Sequence, residues 1–144
     1  MGHMRYTFDN YLRDINVLYD KIVKSGVKYD LIVGIKRGGL VPAVHLSNLL
    51  GVPMQSLSWS TKGLRDSSNP HLITSKDKNV LLIDDIIDEG HTIKEIQDTY
   101  WKMDTAVLIY NCINRYSLVP TYTAWTINRE ELPQWIDYWW EKLI

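Results

Sequence analysis

Val80-Leu81-Leu82-Ile83-Asp84-Asp85-Ile86-Ile87-Asp88-Glu89-Gly90-His91-Thr92 is the stretch whose reading decides the fold. Four consecutive apolar residues make a strand too continuous for a half-exposed sheet, and the strand is predicted to end in the two carboxylates Asp84 and Asp85. The polar run Asp88 to His91 then leads into a helix predicted from about Thr92 to Lys102, where Thr92 and Glu95 have capping-box spacing. Upstream, apolar residues at helical spacing run from Asp9 to Ser25 and stop at Gly26. A buried strand follows at Tyr29 to Gly34, broken by Lys36-Arg37-Gly38-Gly39, and then a helix from Leu40 to Leu50 that admits Pro42 in its first turn and closes at Gly51. Further strands are predicted at Met54 to Trp59, Thr105 to Tyr110 and about Ala124 to Ile127. Strands alternating with helices in this way predict an α/β fold with a mainly parallel sheet flanked by helices.

At 144 residues the chain is read as one domain, 1–144, with residues 1–3 resembling a cloning remnant ahead of a native Met4. Lys and Arg number 16 against 17 Asp and Glu, a near-neutral balance that argues against a nucleic-acid surface. No apolar run approaches the roughly 20 residues of a membrane span, and the single cysteine, Cys112, excludes an internal disulfide and fits a cytoplasmic location. Residues 60–79 are polar, contain Gly63 and Pro70, and have the length of a flexible functional flap. Six Trp and nine Tyr stand against one Phe, a surplus of amphipathic aromatic area that suits a flat ligand or an interface.

In open parallel sheets, ligands collect at the carboxyl ends of strands, which directs attention to the loops after Ile35 and Ile83. A helix starting just after Asp88-Glu89-Gly90-His91 presents free backbone N–H groups to an anion such as a phosphate monoester, helped by the Thr92 hydroxyl. The carboxylates upstream suit vicinal sugar hydroxyls or a divalent cation. Two other kinds of protein carry an acidic pair at a strand end. The metal-binding strand of P-loop ATPases needs a phosphate loop that this sequence lacks, and receiver domains carry their acidic pair after the first strand, not about the third.

The stretch Val80 to Thr92 resembles the 5-phosphoribosyl 1-pyrophosphate (PRPP) signature of type I phosphoribosyltransferases, and Gly34 to Pro42 is similar to that family's pyrophosphate loop. Residues 60–79 stand where the family keeps its catalytic flap, with Ser58-Trp59 replacing a Ser-Tyr pair. Pro133 to Trp140 resembles the C-terminal hood of the xanthine-guanine (purine) branch, giving a base-binding hood over 122–144. The resemblance implies that Asp84 and Asp85 hold the ribose hydroxyls, with Asp85 also contacting Mg2+, and that Asp88 relays the N7 proton of the base. It implies that Glu89, Gly90, His91 and Thr92 bind the 5-phosphate, Glu89 through its N–H alone, and that Lys36, Arg37, Gly38 and Gly39 bind pyrophosphate across a cis Lys36–Arg37 peptide. Trp135 and Ile136 would contact the base.

The activity so implied is Mg-dependent transfer of the 5-phosphoribosyl group from PRPP to guanine, xanthine or hypoxanthine, in a homodimer or homotetramer. Two alternatives remain: a pyrimidine (orotate or uracil) phosphoribosyltransferase, or a PRPP-binding regulator or catalytically idle relative. The family's usual Lys for the 6-oxo group is absent near Tyr110-Asn111-Cys112, so Asn111, Arg115 or water would read that oxygen, or the base is not a 6-oxopurine. His45 and His71 carry no partner signature and read as structural or solvated.

Overall fold

The computed structural model describes residues 2–59 and 77–141, so nearly all of the expected flap, and His71, lie outside the described residues. The elements run β1 (His3–Tyr6), α1 (Phe8–Ser25), β2 (Leu31–Ile35), α2 (Leu40–Leu50), β3 (Met54–Leu57), β4 (Val80–Ile87), α3 (His91–Thr99), β5 (Asp104–Asn111), β6 (Tyr122–Ile127) and β7 (Trp135–Tyr138). β3-β2-β4-β5-β6 form a five-stranded, wholly parallel sheet, and β1 pairs with β7 in a separate parallel ribbon.

The alternation of side chains along each strand divides the core between two faces. Ile32, Leu81, Ile83, Ala106 and Leu108 pack with α1 and α2, through Ile15, Leu18 and Leu46. Val33, Leu82 and Val107 pack on the other side with Ile93 and Ile96 of α3. α1 starts one residue before the apolar pattern, because Thr7 and Asn10 form a reciprocal cap: Asn10 N–H donates to Thr7 Oγ1 at 3.1 Å and Thr7 N–H to Asn10 Oδ1 at 3.0 Å.

Four sequence expectations are corrected. β4 does not end at the acidic pair but runs to Ile87, because β5 continues beside it, with Ile86 against Ile109 and Ile87 against Tyr110. Thr92 and Glu95 form no capping box: α3 starts at His91 after Gly90 at φ 91°, and Glu95 instead accepts a 3.0 Å hydrogen bond from Trp59 Nε1. That helix ends at Thr99, which leaves Trp101 outside it. Residues 122–127 are the edge strand of the main sheet, so the hood is the β1–β7 ribbon with the turns around it, and His3 opens that ribbon opposite Trp135.

Candidate active site

Chain order places the site. From β2 the chain moves outward to β3 and then returns to lay β4 on the other side of β2, so the loops leaving β2 and β4 diverge at a topological switch point. The last β2–β4 pair is Gly34 with Ile83; beyond it β2 gives way to Lys36–Gly39 while β4 carries on through Asp84 and Asp85. The acidic pair is therefore paired on one side only, facing the glycine loop.

That loop contains the cis Lys36–Arg37 peptide the resemblance implies. Gly38 rests against the Asp85 carboxylate: a Cβ there would meet Cγ at 2.6 Å and Oδ1 at 3.0 Å. Gly39 is hemmed in by main chain, with Ile83 O, Ile35 O and Asp84 Cα in the way of any side chain. Lys36 and Arg37 are exposed, and Lys36 N–H is taken by Leu57 O at 2.8 Å, which leaves its side chain for an anion.

Asp84 and Asp85 are held by adjacent main chain: Asp85 N–H donates to Asp84 Oδ1 and Ile86 N–H to Asp85 Oδ1, both at 2.9 Å. Burial raises both carboxyls above the ordinary carboxylate value, and for Asp84 the charge of Asp85 adds to it. The Tyr138 phenol, brought up by the hood strand, is raised by burial and then by these two carboxylates. Among the described residues neither Asp84 nor Asp85 has an ion-pair partner, and no cluster of three or more His, Cys, Asp or Glu forms a metal cage. Two crowded carboxylates short of positive charge fit a Mg2+ that draws its remaining ligands from water and substrate oxygens.

Residues 84–93 line a cleft of about 360 Å³ that ends at the start of α3. Gly90 precedes that helix and, among the described residues, no side chain caps it, so the N–H groups of its first turn stand at the cleft's end without a side-chain cap. The left-handed Gly90 is also close to Leu118 and Asn114, at 3.1 and 3.2 Å from a would-be Cβ. The Glu89 side chain is exposed, with its carboxylate against His91 Nε2. The His91 ring has partners on both sides: its Nδ1 lies 2.7 Å from Tyr116 Oη and its Nε2 2.8 Å from Glu89 Oε2.

A second cleft, about 510 Å³, shares Asp88 and Glu89 with the first and is walled by Asn111, Ile113, Arg129, Pro133 and Trp135. Trp135 is 62% exposed and presents a flat apolar surface there. Ile136 is corrected: at 4% exposure its side chain belongs to the core. Of the two candidate readers of a base oxygen, Asn111 lines the cleft and Arg115 does not. Asn111 gives one amide hydrogen to Asp88 O and accepts from Ile113 and Arg129 N–H at Oδ1, and the Arg115 guanidinium lies over the Tyr116 ring while its backbone N–H donates to Glu89 O. The cation in this cleft is Arg129, which the sequence reading did not single out. Its guanidinium grips Asp88 with Nε to Oδ1 at 2.9 Å and Nη2 to Oδ2 at 2.8 Å, and Asp88 holds it charged. No local pattern marks it, because the pair spans 41 residues.

Residues 7–111, most of the chain and all of the site up to Asn111, match the phosphoribosyl transferase domain family. The chain belongs to that family. It is similar to the purine phosphoribosyltransferase structure from Pyrococcus horikoshii Ot3, with 29% identity, TM-score 0.76, and coverage of 100% of this chain and 97% of that one. Among curated proteins it is 26% identical to the xanthine-guanine phosphoribosyltransferase of Cereibacter sphaeroides over 118 residues, 76% of this chain and 68% of the relative. It is 31% identical to the orotate phosphoribosyltransferase of Caenorhabditis elegans over 81 residues, 53% of this chain and only 34% of that relative's length. The type I phosphoribosyltransferase fold expected from the sequence is thus the observed one, and the likeness over the whole chain is to the purine branch. Among the described residues, no helix is long and apolar enough to cross a membrane.

The remaining aromatic residues of the tail pack the hood. Trp139 and Trp140 meet Tyr6, Phe8 and Tyr11, and Tyr138 stacks on Trp140 at 4.7 Å. His45 is structural, bonded to Tyr11 Oη at 3.0 Å, and Cys112 is exposed and unpaired.

Proposed function

We propose that this member of the family transfers the 5-phosphoribosyl group of PRPP to a 6-oxopurine, releasing pyrophosphate. The observation that carries the reading is that Asp88 stands where the two clefts meet, with a helix start and an acidic pair on one side and an exposed tryptophan face on the other. In this reading the main chain of Glu89 to Thr92 takes the 5-phosphate, and Asp84 and Asp85 accept from the ribose hydroxyls. Gly38 and Gly39 let the pyrophosphate approach the loop backbone closely, while Lys36 and Arg37 neutralise it. Asp85, lying against that loop, is the contact for Mg2+, which when bound would screen the charge developing on the leaving group. Trp135 covers one face of the base.

The chemical step forms a bond from a ring nitrogen of the base to C1 of the sugar and breaks the C1–O bond, whose electron pair leaves on pyrophosphate. The base then gives up its imidazole proton, and Asp88, held by Arg129 at the junction, is placed to accept it. A base panel of guanine, xanthine, hypoxanthine, adenine, orotate and uracil, incubated with PRPP and Mg2+, tests this. Pyrophosphate release is expected with at least one 6-oxopurine and should fall at least about 100-fold in Asp88→Asn, the range of a lost proton acceptor. Release with orotate or uracil alone would replace the purine reading with the pyrimidine one. Tight PRPP binding with no release on any base would favour a regulator or idle relative.

A further inference from the structure

We propose that Arg129 determines specificity for the base, reading the 6-oxo group through the one guanidinium N–H that has no partner among the described residues. The inference rests on the reading of the second cleft as a base site and adds the residue that selects among bases.

A guanidinium has five N–H donors. Nε and one hydrogen of Nη2 go to Asp88, and Nη1 donates to two carbonyls of the hood turn, Leu132 O and Gln134 O. The backbone N–H of Arg129 is fixed on Asn111 Oδ1 at 3.2 Å. Four side-chain donors and the main chain are thus committed to structure, which leaves the second hydrogen of Nη2. With a side-chain exposure of 18%, that group is largely shielded from water yet borders the cleft.

The free donor sits next to an acceptor. Nη2 and Asp88 Oδ2 are 2.8 Å apart, and each Asp88 oxygen keeps a lone pair beyond the one Arg129 uses. A donor beside an acceptor at this spacing complements a ligand edge with an acceptor beside a donor. A 6-oxopurine protonated at N7 has that edge: its oxygen meets Nη2–H while N7–H donates to Oδ2. Adenine presents a 6-amino donor to the same Nη2–H, leaving two donors facing each other. Unsubstituted purine leaves the Arg129 donor unmatched. Among the residues lining the cleft Arg129 is the only Lys or Arg, while Asn111 has its Oδ1 and one amide hydrogen engaged and is neutral, so the charged donor of the cleft is the Arg129 guanidinium.

The test is equilibrium binding of hypoxanthine, adenine and unsubstituted purine to wild type, Arg129→Met and Arg129→Lys, followed by tryptophan quenching, with PRPP binding by calorimetry as the check on folding. Wild type should prefer hypoxanthine over both other bases by about 10- to 100-fold, the range of one hydrogen bond from a charged donor. In Arg129→Met that preference should fall to within about threefold while PRPP affinity holds, and Arg129→Lys, with a single mobile ammonium, should keep only part of it. Arg129→Met that binds PRPP and retains the full preference overturns the inference, as does a wild type without preference. Should Arg129→Met fail to bind PRPP, Arg129→Lys decides, and an unchanged preference there overturns it. Selective hypoxanthine binding without pyrophosphate release would sink the transfer reading and leave this one standing. Pyrophosphate release with the preference unmoved in Arg129→Met does the reverse.

Discussion

Gly38 and Gly39 are neighbours in one loop, yet alanine at the two positions should produce opposite phenotypes. At Gly39 an added Cβ runs into backbone on two strands: Ile83 O, Ile35 O at 2.8 Å and Asp84 Cα at 3.0 Å. None of these can rotate away, and the β2–β4 pairing ends at this point, so relief requires the strands to part. Such overpacking costs about 3 kcal/mol, and for a domain of this size that lowers Tm by roughly 10 °C. At Gly38 the obstacle is only the Asp85 carboxyl, with Cγ at 2.6 Å, and that group can turn about its own χ1. Turning forfeits the Ile86 N–H bond at 2.9 Å but relieves crowding with Asp84, so the net change should be about 1 kcal/mol or less. What it loses is the ligand geometry. With Asp85 aimed away from the loop, PRPP affinity in the presence of Mg2+ should fall about 10- to 100-fold, the range of a lost charged hydrogen bond. Thermal unfolding by circular dichroism and PRPP titration by calorimetry separate the two effects. Gly39→Ala with a wild-type Tm would refute the close approach of the strands, and Gly38→Ala with wild-type PRPP affinity would refute the placement of Asp85 at the ligand.

Two further outcomes follow from the same geometry. Because burial raises the Asp84 and Asp85 carboxyls in the folded chain, the fold binds protons there that the unfolded chain releases. Their ionisation therefore costs stability as pH climbs upward from the ordinary carboxylate value of 3.8, and the cost is fully present only above their raised values. Asp85→Asn should accordingly raise the Tm of the ligand-free protein at pH 8, with a smaller gain at pH 5, while PRPP no longer stabilises it; an unchanged or lowered Tm at pH 8 contradicts the argument. Guanine should quench tryptophan emission, and Trp135→Ala should remove most of that quench with little loss of PRPP affinity, since Trp135 lies in the second cleft and not in the first. Quenching that survives the substitution would move the base to another face.

The apolar face of each strand and the turn residues between elements were legible from the chain alone. β2, α2 and β5 fall within a residue or two of their predicted bounds, because burial on both faces and glycine stops are local signals. The extent of β4 was not legible. Asp84 and Asp85 read as a strand end, and only the continued register with β5 shows that two carboxylates can sit within a strand when one neighbour has peeled away. The capping box at Thr92 failed for a similar reason: Glu95 had a better partner in Trp59, 36 residues distant.

Taken by itself, the sequence picked out the residues of the proposed PRPP side: the acidic pair, the glycine loop and the polar run into α3 are contiguous motifs, each a short stretch that brings its own backbone groups together. The base side was decided only by tertiary structure. Residue for residue, Ile136 and Trp135 looked alike as base contacts, and the pleat of β7 sent one into the core and the other to the cleft. Arg129 belongs to a turn after the edge strand and reaches Asp88 only because β5 and β6 lie side by side, bringing Ile127 against Asn111 at their ends. Motifs bind what a single loop can surround. A flat base has two faces and an edge, so its recognition needs three separate segments, and their meeting is a property of the fold.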